Sequence, residues 1–352
     1  MKKWSIAVII SFVVGILIIG GMTYIVDPYF HFHHPIDGIA YQLDKYNYIN
    51  DGIARNFEFD TIVTGTSLTE HFRTEDIDDI FGAKSVRLTF LGEGNKRIDF
   101  NTSKCLKLHD IKTVIRGLDT MYFISDSDFE KYDQYPEYLY DENLINDVKY
   151  LLNIDVFVGD TIPTLARTIS GKKMAKFDDI TSLDGVGLGK AILKDYQRAE
   201  KVDTVLTDSD YDEYIARLID NLNENVIATI KDNPNTTFYI FFPPYSILYF
   251  DELHQNGEDV LNRRFELEKV AIEMLLEHDN VKLFSFFDDF SLISDLDYYV
   301  DSCHYIPKIN RELLVHMAQD EYRLTKENYM DYLDRIREFY LNYNYDMIYE
   351  CK

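Results

Sequence analysis

From residue 59 onward the chain alternates between short β-branched or aromatic runs and longer helical stretches. The strand-like runs are residues 61–64, 85–91, 113–118, 237–242 and 281–287, and the clearest helical stretches are 212–231 and 260–277. Strands that alternate with helices predict a parallel sheet wound on both faces. Sites in such sheets lie beyond the carboxyl ends of the strands. Ser67, Gly92, Asp119, Pro243 and Asp301 each follow a strand-like run, so the alternation predicts that they converge on one edge. A helical stretch at 310–319 follows the last run, and 326–343 places Tyr329, Leu333, Ile336, Phe339, Tyr340 and Tyr343 at helical spacing, expected to pack back on the domain, with a partner or membrane face as the alternative.

The N-terminus carries the second constraint. Lys2, Lys3 and Trp4 precede residues 5–26, an apolar run without a charge. Crossing a bilayer takes about 20 residues, whereas the apolar core of a cleavable signal has roughly 7–15. Gly20-Gly21 resembles a small-residue exit, so cleavage stays an alternative. Basic residues on the N-side and Asp27 on the other flank put the N-terminus in the cytoplasm and the rest outside. Trp4 is expected at one interface, and Tyr24, Tyr29, Phe30 and Phe32 at the other. The expected division is a cytoplasmic end (1–4), a transmembrane helix (5–26), a juxtamembrane connector (27–58), an α/β domain (59–322) with an insertion at about 124–205, and a C-terminal helical tail (323–352). In the connector, His31-Phe32-His33-His34-Pro35 lacks a cysteine partner at ligand spacing, so it reads as an interfacial aromatic patch in preference to a metal site.

A net charge of −25 argues against nucleic acid as a partner, which needs a basic footprint, and against tight binding to anionic lipid; a solvated acidic shell accounts for it. The 27 tyrosines suit sugar-stacking clefts and serve equally as core filler. Cys105, Cys303 and Cys351 are too widely spaced for a disulfide framework or a zinc pattern, and Cys303 reads as a small buried residue. Between Ile124 and Val205 the alternation lapses into acidic, Tyr-rich segments with helical patterning at 143–152 and 161–169, read as an insertion or cap beside the site. Within it, Asp184-Gly185-Val186-Gly187-Leu188-Gly189-Lys190 looks like a phosphate loop. It lacks the first glycine and has Ala191 where Ser or Thr should hold magnesium, so a flexible loop is expected.

The candidate chemistry joins the two ends of the sheet. Ser67, in Gly65-Thr66-Ser67-Leu68-Thr69, follows the first run, and Asp301-Ser302-Cys303-His304 follows the last. A serine hydroxyl is a weak nucleophile at neutral pH and needs a base. His304 is the candidate base, and Asp301 the group that sets its tautomer and stabilises the imidazolium. Three positions apart, Asp301 and His304 can share one side of a turn. Asp-x-x-His also occurs at Asp251 and His254, but that pair follows a middle strand. Taken singly, Ser67 reads as a helix N-cap and Gly92 as a turn glycine.

Gly65-Thr66-Ser67, Gly92, Gly117-Leu118-Asp119 and Asp301-Ser302-Cys303-His304 resemble the ordered blocks of the SGNH (GDSL-like) hydrolase superfamily over most of residues 59–320. The resemblance is to the membrane-tethered branch that includes alginate-acetylation accessory proteins and the teichoic-acid D-alanine transfer protein. Phe241-Phe242-Pro243-Pro244-Tyr245-Ser246 and Tyr299-Val300-Asp301-Ser302-Cys303-His304-Tyr305 are similar to segments of anchored bacterial members. The resemblance implies a flavodoxin-like three-layer α/β/α sandwich, with Ser67 as nucleophile, His304 as base and Asp301 as orienter. It also implies an oxyanion hole formed by the backbone N–H groups of Ser67 and Gly92 together with the residue at 119. That family position normally supplies an asparagine side chain. An ionised Asp119 would repel an oxyanion, and only a protonated one could donate. The implied function is an extracytoplasmic serine O-acyltransferase or esterase on a cell-surface polysaccharide. It requires no metal or organic cofactor and has an integral-membrane acyltransferase as partner. The alternative is a non-catalytic scaffold or glycan-binding module of an envelope polysaccharide-modification complex.

Overall fold

The computed structural model of the chain describes residues 2–132, 135–179, 189–202 and 204–350. The phosphate-loop-like stretch lies, up to Leu188, outside the described residues, as does Cys351. Two compact units divide the chain, Met1–Glu58 with Tyr132–Asp179, and Phe59–Lys131 with Ile180–Lys352.

The larger unit is built on a six-stranded sheet. Its strands are β1 (Thr61–Gly65), β2 (Ser85–Thr89), β3 (Thr113–Gly117), β4 (Thr237–Phe242), β5 (Val281–Ser285) and β6 (Arg323–Leu324). They lie in the order β2-β1-β3-β4-β5-β6, parallel except for the antiparallel edge strand β6. The register is flush: Ile62 pairs with Val86 and Val114, Ile115 with Tyr239, and Ile240 with Leu283. All residues of β1 and β2 are buried, as expected of strands covered on both faces. Crossovers of one hand send successive helices to the face dictated by the direction of the step. Thr74–Phe81 packs with Pro307–Ala318, while Asn95–Leu108, the helical stretch 208–232 and Glu258–Leu275 pack with one another. This is a three-layer α/β/α sandwich with the flavodoxin-like strand order, as expected.

The strand-like runs extend past the ladder. β2, β3 and β5 stop at Thr89, Gly117 and Ser285, where the chain leaves the sheet toward the carboxyl edge. β6 has no counterpart among the strand-like runs, because two residues give no periodic signal. The helix expected at 212–231 starts at Asp208, behind a Thr207/Asp210 capping box, and passes through a π-turn at Asn223–Ile227. The tail helix Tyr329–Asn342 buries Tyr332, Leu333, Ile336 and Tyr340 and packs against Glu258–Leu275.

The smaller unit contains the helix Lys2–Val26, in which the most apolar 18 consecutive residues have a mean hydropathy of 2.6 and the segment Lys3–Val26 is long and apolar enough to cross a membrane. The turn after it is organised by Asp27, which is buried. Its carboxylate accepts the N–H groups of His31 (3.0 Å), Phe32 (2.7 Å) and His33 (3.1 Å) and the hydroxyl of Tyr150 (2.9 Å). The histidine rings do not converge. His31 Nε2 meets Asp147 at 3.0 Å, while His33 uses its nitrogens on the carbonyls of His34 and Tyr24. The helix expected at 143–152 is reduced to Val148–Leu151, and that at 161–169 is the end of a helical run beginning at Ile154.

Candidate active site

β1 ends at Gly65, beside Gly117 at the end of β3. At Gly65, with φ of +156°, a Cβ would lie 2.7 Å from the Thr69 side chain and 3.0 Å from the Gly117 carbonyl oxygen, so only glycine fits. The next residue, Thr66, caps the short turn Ser67–Thr69, its hydroxyl accepting the Leu68 N–H at 3.4 Å. The capping role open to Ser67 in the sequence therefore falls to its neighbour. The Ser67 hydroxyl lies 2.7 Å from His304 Nε2, across 237 positions of sequence.

His304 in turn meets Asp301. Its Nδ1 is 2.7 Å from Asp301 Oδ2, and Asp301 Oδ1 accepts the N–H groups of Cys303 (2.9 Å) and His304 (2.7 Å). The loop is fixed from several sides. The Val300 N–H donates to the His304 carbonyl (2.9 Å), and the Tyr305 hydroxyl donates to the Leu68 carbonyl (3.0 Å), tying the loop to the turn that carries Ser67. After β4, the Ser246 N–H and hydroxyl both donate to the Ser302 carbonyl (3.0 and 2.8 Å). In the sequence Tyr305 and Ser246 stand out only as parts of longer motifs, since a hydrogen bond to a distant carbonyl leaves no local pattern.

Electrostatics orders the pair. Burial works against the Asp301 charge, but the bond to His304, its positive charge and the two backbone donors outweigh it and hold Asp301 down to about 2. Burial likewise opposes charge on His304, but the hydrogen bond and charge of Asp301, with Asp119 and Glu70 beyond, raise it above its ordinary value of 6.5. Cys303 is partly exposed rather than buried, with its sulfur 3.4 Å from His304 Nδ1. Among the described residues, Asp301, Cys303 and His304 are the one set of three potential metal ligands, with donor atoms within 4.8 Å. Burial and the Asp301 charge push the Cys303 thiol up, so at neutral pH it rests as the neutral thiol beside the imidazole.

Asp119 is buried at the end of β3. It caps the turn Thr120–Tyr122 through the Met121 N–H (3.1 Å) and accepts the hydroxyls of Thr66 (3.0 Å) and Tyr245. Burial raises its pKa; those bonds and His304 pull the other way. Behind it, Thr120 donates to the Tyr245 hydroxyl (3.3 Å), Arg264 donates to Thr120 (2.6 Å), and Arg264 pairs with Glu268 at 3.0 Å. The Gly92 carbonyl accepts the Tyr122 hydroxyl at 2.9 Å. The backbone N–H groups of Ser67 and Gly92 donate to no acceptor among the described residues.

The second Asp-x-x-His is built differently. Asp251 is fully buried and takes the Arg198 guanidinium at 2.8–3.2 Å, the Tyr349 hydroxyl at 2.6 Å and Gln255 at 3.2 Å. His254 stacks on Tyr345, with ring centroids 4.7 Å apart. His254→Ala is therefore expected to leave reaction with an activated acyl ester at the wild-type rate, measured by release of p-nitrophenol. A loss equal to that of His304→Ala would assign the base to the other pair.

No protein-family model matches the chain, and no curated protein matches it. Among solved structures, one from Streptococcus pneumonia provisionally described as a platelet activating factor aligns over 82% of this chain and 92% of its own, at 12% identity and a TM-score of 0.39. A likeness this remote assigns neither family nor activity.

Proposed function

We propose that the protein is a membrane-anchored serine esterase or O-acyltransferase whose α/β domain lies outside the cytoplasm and acts on acyl groups of a cell-surface polysaccharide. One observation carries the chemistry: Ser67, His304 and Asp301 form a continuous hydrogen-bonded chain with both links at 2.7 Å. In the proposed reaction the Ser67 oxygen attacks the acyl carbonyl and its proton passes to His304 Nε2, while Asp301 holds Nδ1–H and offsets the imidazolium charge. The unpaired N–H groups of Ser67 and Gly92 are the candidate donors to the tetrahedral oxyanion. His304 returns the proton to the leaving alkoxide, and the acyl-Ser67 ester is resolved by water or by a sugar hydroxyl. An integral-membrane acyltransferase would be the donor side of such a transfer. Asp119 enters this reading as an acceptor that holds Thr66, and hence the Ser67 turn, in place. The same three inward donors on Asp119, where the resembled family carries asparagine, favour a second reading, a non-catalytic glycan-binding scaffold.

A serine-directed fluorophosphonate separates the two. Mass spectrometry is expected to find the adduct on Ser67 of the full chain; no adduct, even in native membranes, would favour the scaffold. The base must be neutral to accept the Ser67 proton, and its pKa lies above 6.5, so acylation should fall as pH drops through a midpoint above that value. Asp301→Asn removes the raising charge and should move the midpoint down; an unmoved midpoint would detach the pair from the rate.

Lys2 and Lys3 before the apolar helix and Asp27 after it support the orientation. Protease added to intact spheroplasts should digest the chain beyond Asp27. Protection until lysis would reverse the topology, and a mature chain beginning near Asp27 would mean a cleaved signal.

A further inference from the structure

Within the smaller unit, the C-terminal turns of the apolar helix are not bare. A Cβ at Gly20 would lie 3.1 Å from Leu152 Cδ2, so the absence of a side chain there lets the segment around Leu152 approach the helix closely. One turn on, the hydroxyls of Thr23 and Thr161 meet at 3.4 Å, both fully buried, and Val26 completes the covered face. Gly20 stands six residues before the helix end at Val26. At about 1.5 Å per residue, that is roughly 9 Å along the axis. The helix Val148–Leu151 and the π-turn Phe157–Thr161 thus run beside a segment apolar enough for hydrocarbon.

Apolar side chains make up most of their outward face, with Lys149 and Asp155 the exposed charges in the stretch. Ile154, Val158 and Ile162 recur every fourth residue and are 56%, 56% and 43% exposed, and Val148 and Leu152 are exposed beside them. Soluble surfaces rarely leave so many large apolar side chains uncovered in one short stretch. The backbone here is helical and internally bonded, as contact with lipid demands. The inward polar groups are matched as well: Asp160 takes the Tyr29 hydroxyl at 2.7 Å and Lys45 at 2.5 Å, and Thr168 donates to the Thr164 carbonyl at 2.8 Å.

We propose that residues 148–162 form a collar embedded in the half of the bilayer next to Val26, with Ile154, Val158 and Ile162 in contact with acyl chains. The occupant of this face is lipid, because the face is continuous with the surface of the spanning helix, and the roughly 9 Å of overlap matches the depth, about 5–10 Å, to which interfacial helices sink. The net charge of −25 does not oppose this, since apolar contact, not attraction to anionic headgroups, drives the insertion. The proposal rests on the reading that Lys2–Val26 spans the membrane.

The test uses the full chain in phosphatidylcholine vesicles, with Cys105, Cys303 and Cys351 changed to alanine and single bimane-labelled cysteines introduced. Brominated acyl chains are expected to quench Phe12→Cys, in the middle of the span, and also Val158→Cys. Leu108→Cys, exposed on the larger unit, should keep its fluorescence. Quenching at Phe12 without quenching at Val158 would overturn the collar while leaving the span intact, and would assign the face to another occupant. Loss of quenching at both would overturn the span and the collar with it. Ile162→Cys repeats the measurement should Val158→Cys fail to fold.

Discussion

Ser67→Ala is expected to abolish acylation by p-nitrophenyl acetate, and His304→Ala to reduce it almost as far. In a serine–histidine–aspartate unit, loss of the nucleophile or base costs on the order of 10⁶ in rate and loss of the aspartate about 10⁴. The geometry supports that ranking for this chain. Ser67 and His304 share a bond at 2.7 Å, whereas Asp301 acts through the far nitrogen of the ring and is half exposed to solvent. Because the residues would act as one unit, Ser67→Ala combined with His304→Ala should be no worse than Ser67→Ala alone. Single-turnover acylation measures all four proteins. Additive losses, or activity surviving in Ser67→Ala with circular dichroism unchanged, would sink the assignment.

Arg264→Ala is expected to be the most damaging single change to stability. Arg264 and Glu268 are both buried and paired at 3.0 Å, and the Tyr332 hydroxyl also donates to Glu268. Burial opposes both charges and leaves Glu268 raised above its ordinary value, while the attraction between the two works against that penalty and keeps the guanidinium ionised. Removing one partner strands the other charge away from water, which costs about 3–5 kcal/mol. Domains of this kind are held by only about 5–15 kcal/mol, so the loss should be visible as a large drop in the urea midpoint and in the amount of folded protein. Arg264→Met with Glu268→Leu removes both charges and should recover most of the loss. If the double change is as unstable as Arg264→Ala, the damage comes from the bond to Thr120, and so from the turn that Asp119 caps, rather than from the stranded charge.

The sheet was legible because its strands are buried on both faces. A strand such as β1, buried throughout, must be apolar or β-branched along its whole length, and that requirement is written locally. The alternation of such runs with helices then leaves few topologies, and the flush register carries the ends of β1 and β3 to one edge. Ser67 and the Asp301–His304 pair could be picked out for the same reason, by their positions after the first and last long strands. The apolar helix Lys2–Val26 was equally plain, since its requirement is length and hydropathy alone.

Other features depended on partners far away in the chain. Which Asp-x-x-His meets a serine is a question of distance: His304 lies 2.7 Å from Ser67, while Asp251 is taken by Arg198 and Tyr349. The work of Asp119 is set by Thr66, Tyr245 and Met121, three residues that no local pattern connects. The two residues of β6, the capping of the Ser67 turn by Thr66, and the covering of Gly20 by Leu152 are likewise invisible along the chain. What the amino-acid sequence determined by itself was the α/β layering, the membrane-length helix and the residue types able to carry acyl chemistry, because periodicity, hydropathy and functional groups are local properties. Which hydroxyl faces which imidazole, which carboxylate is an acceptor and which apolar side chains remain uncovered were decided only by the tertiary structure, because each depends on distances between atoms that the order of residues does not specify.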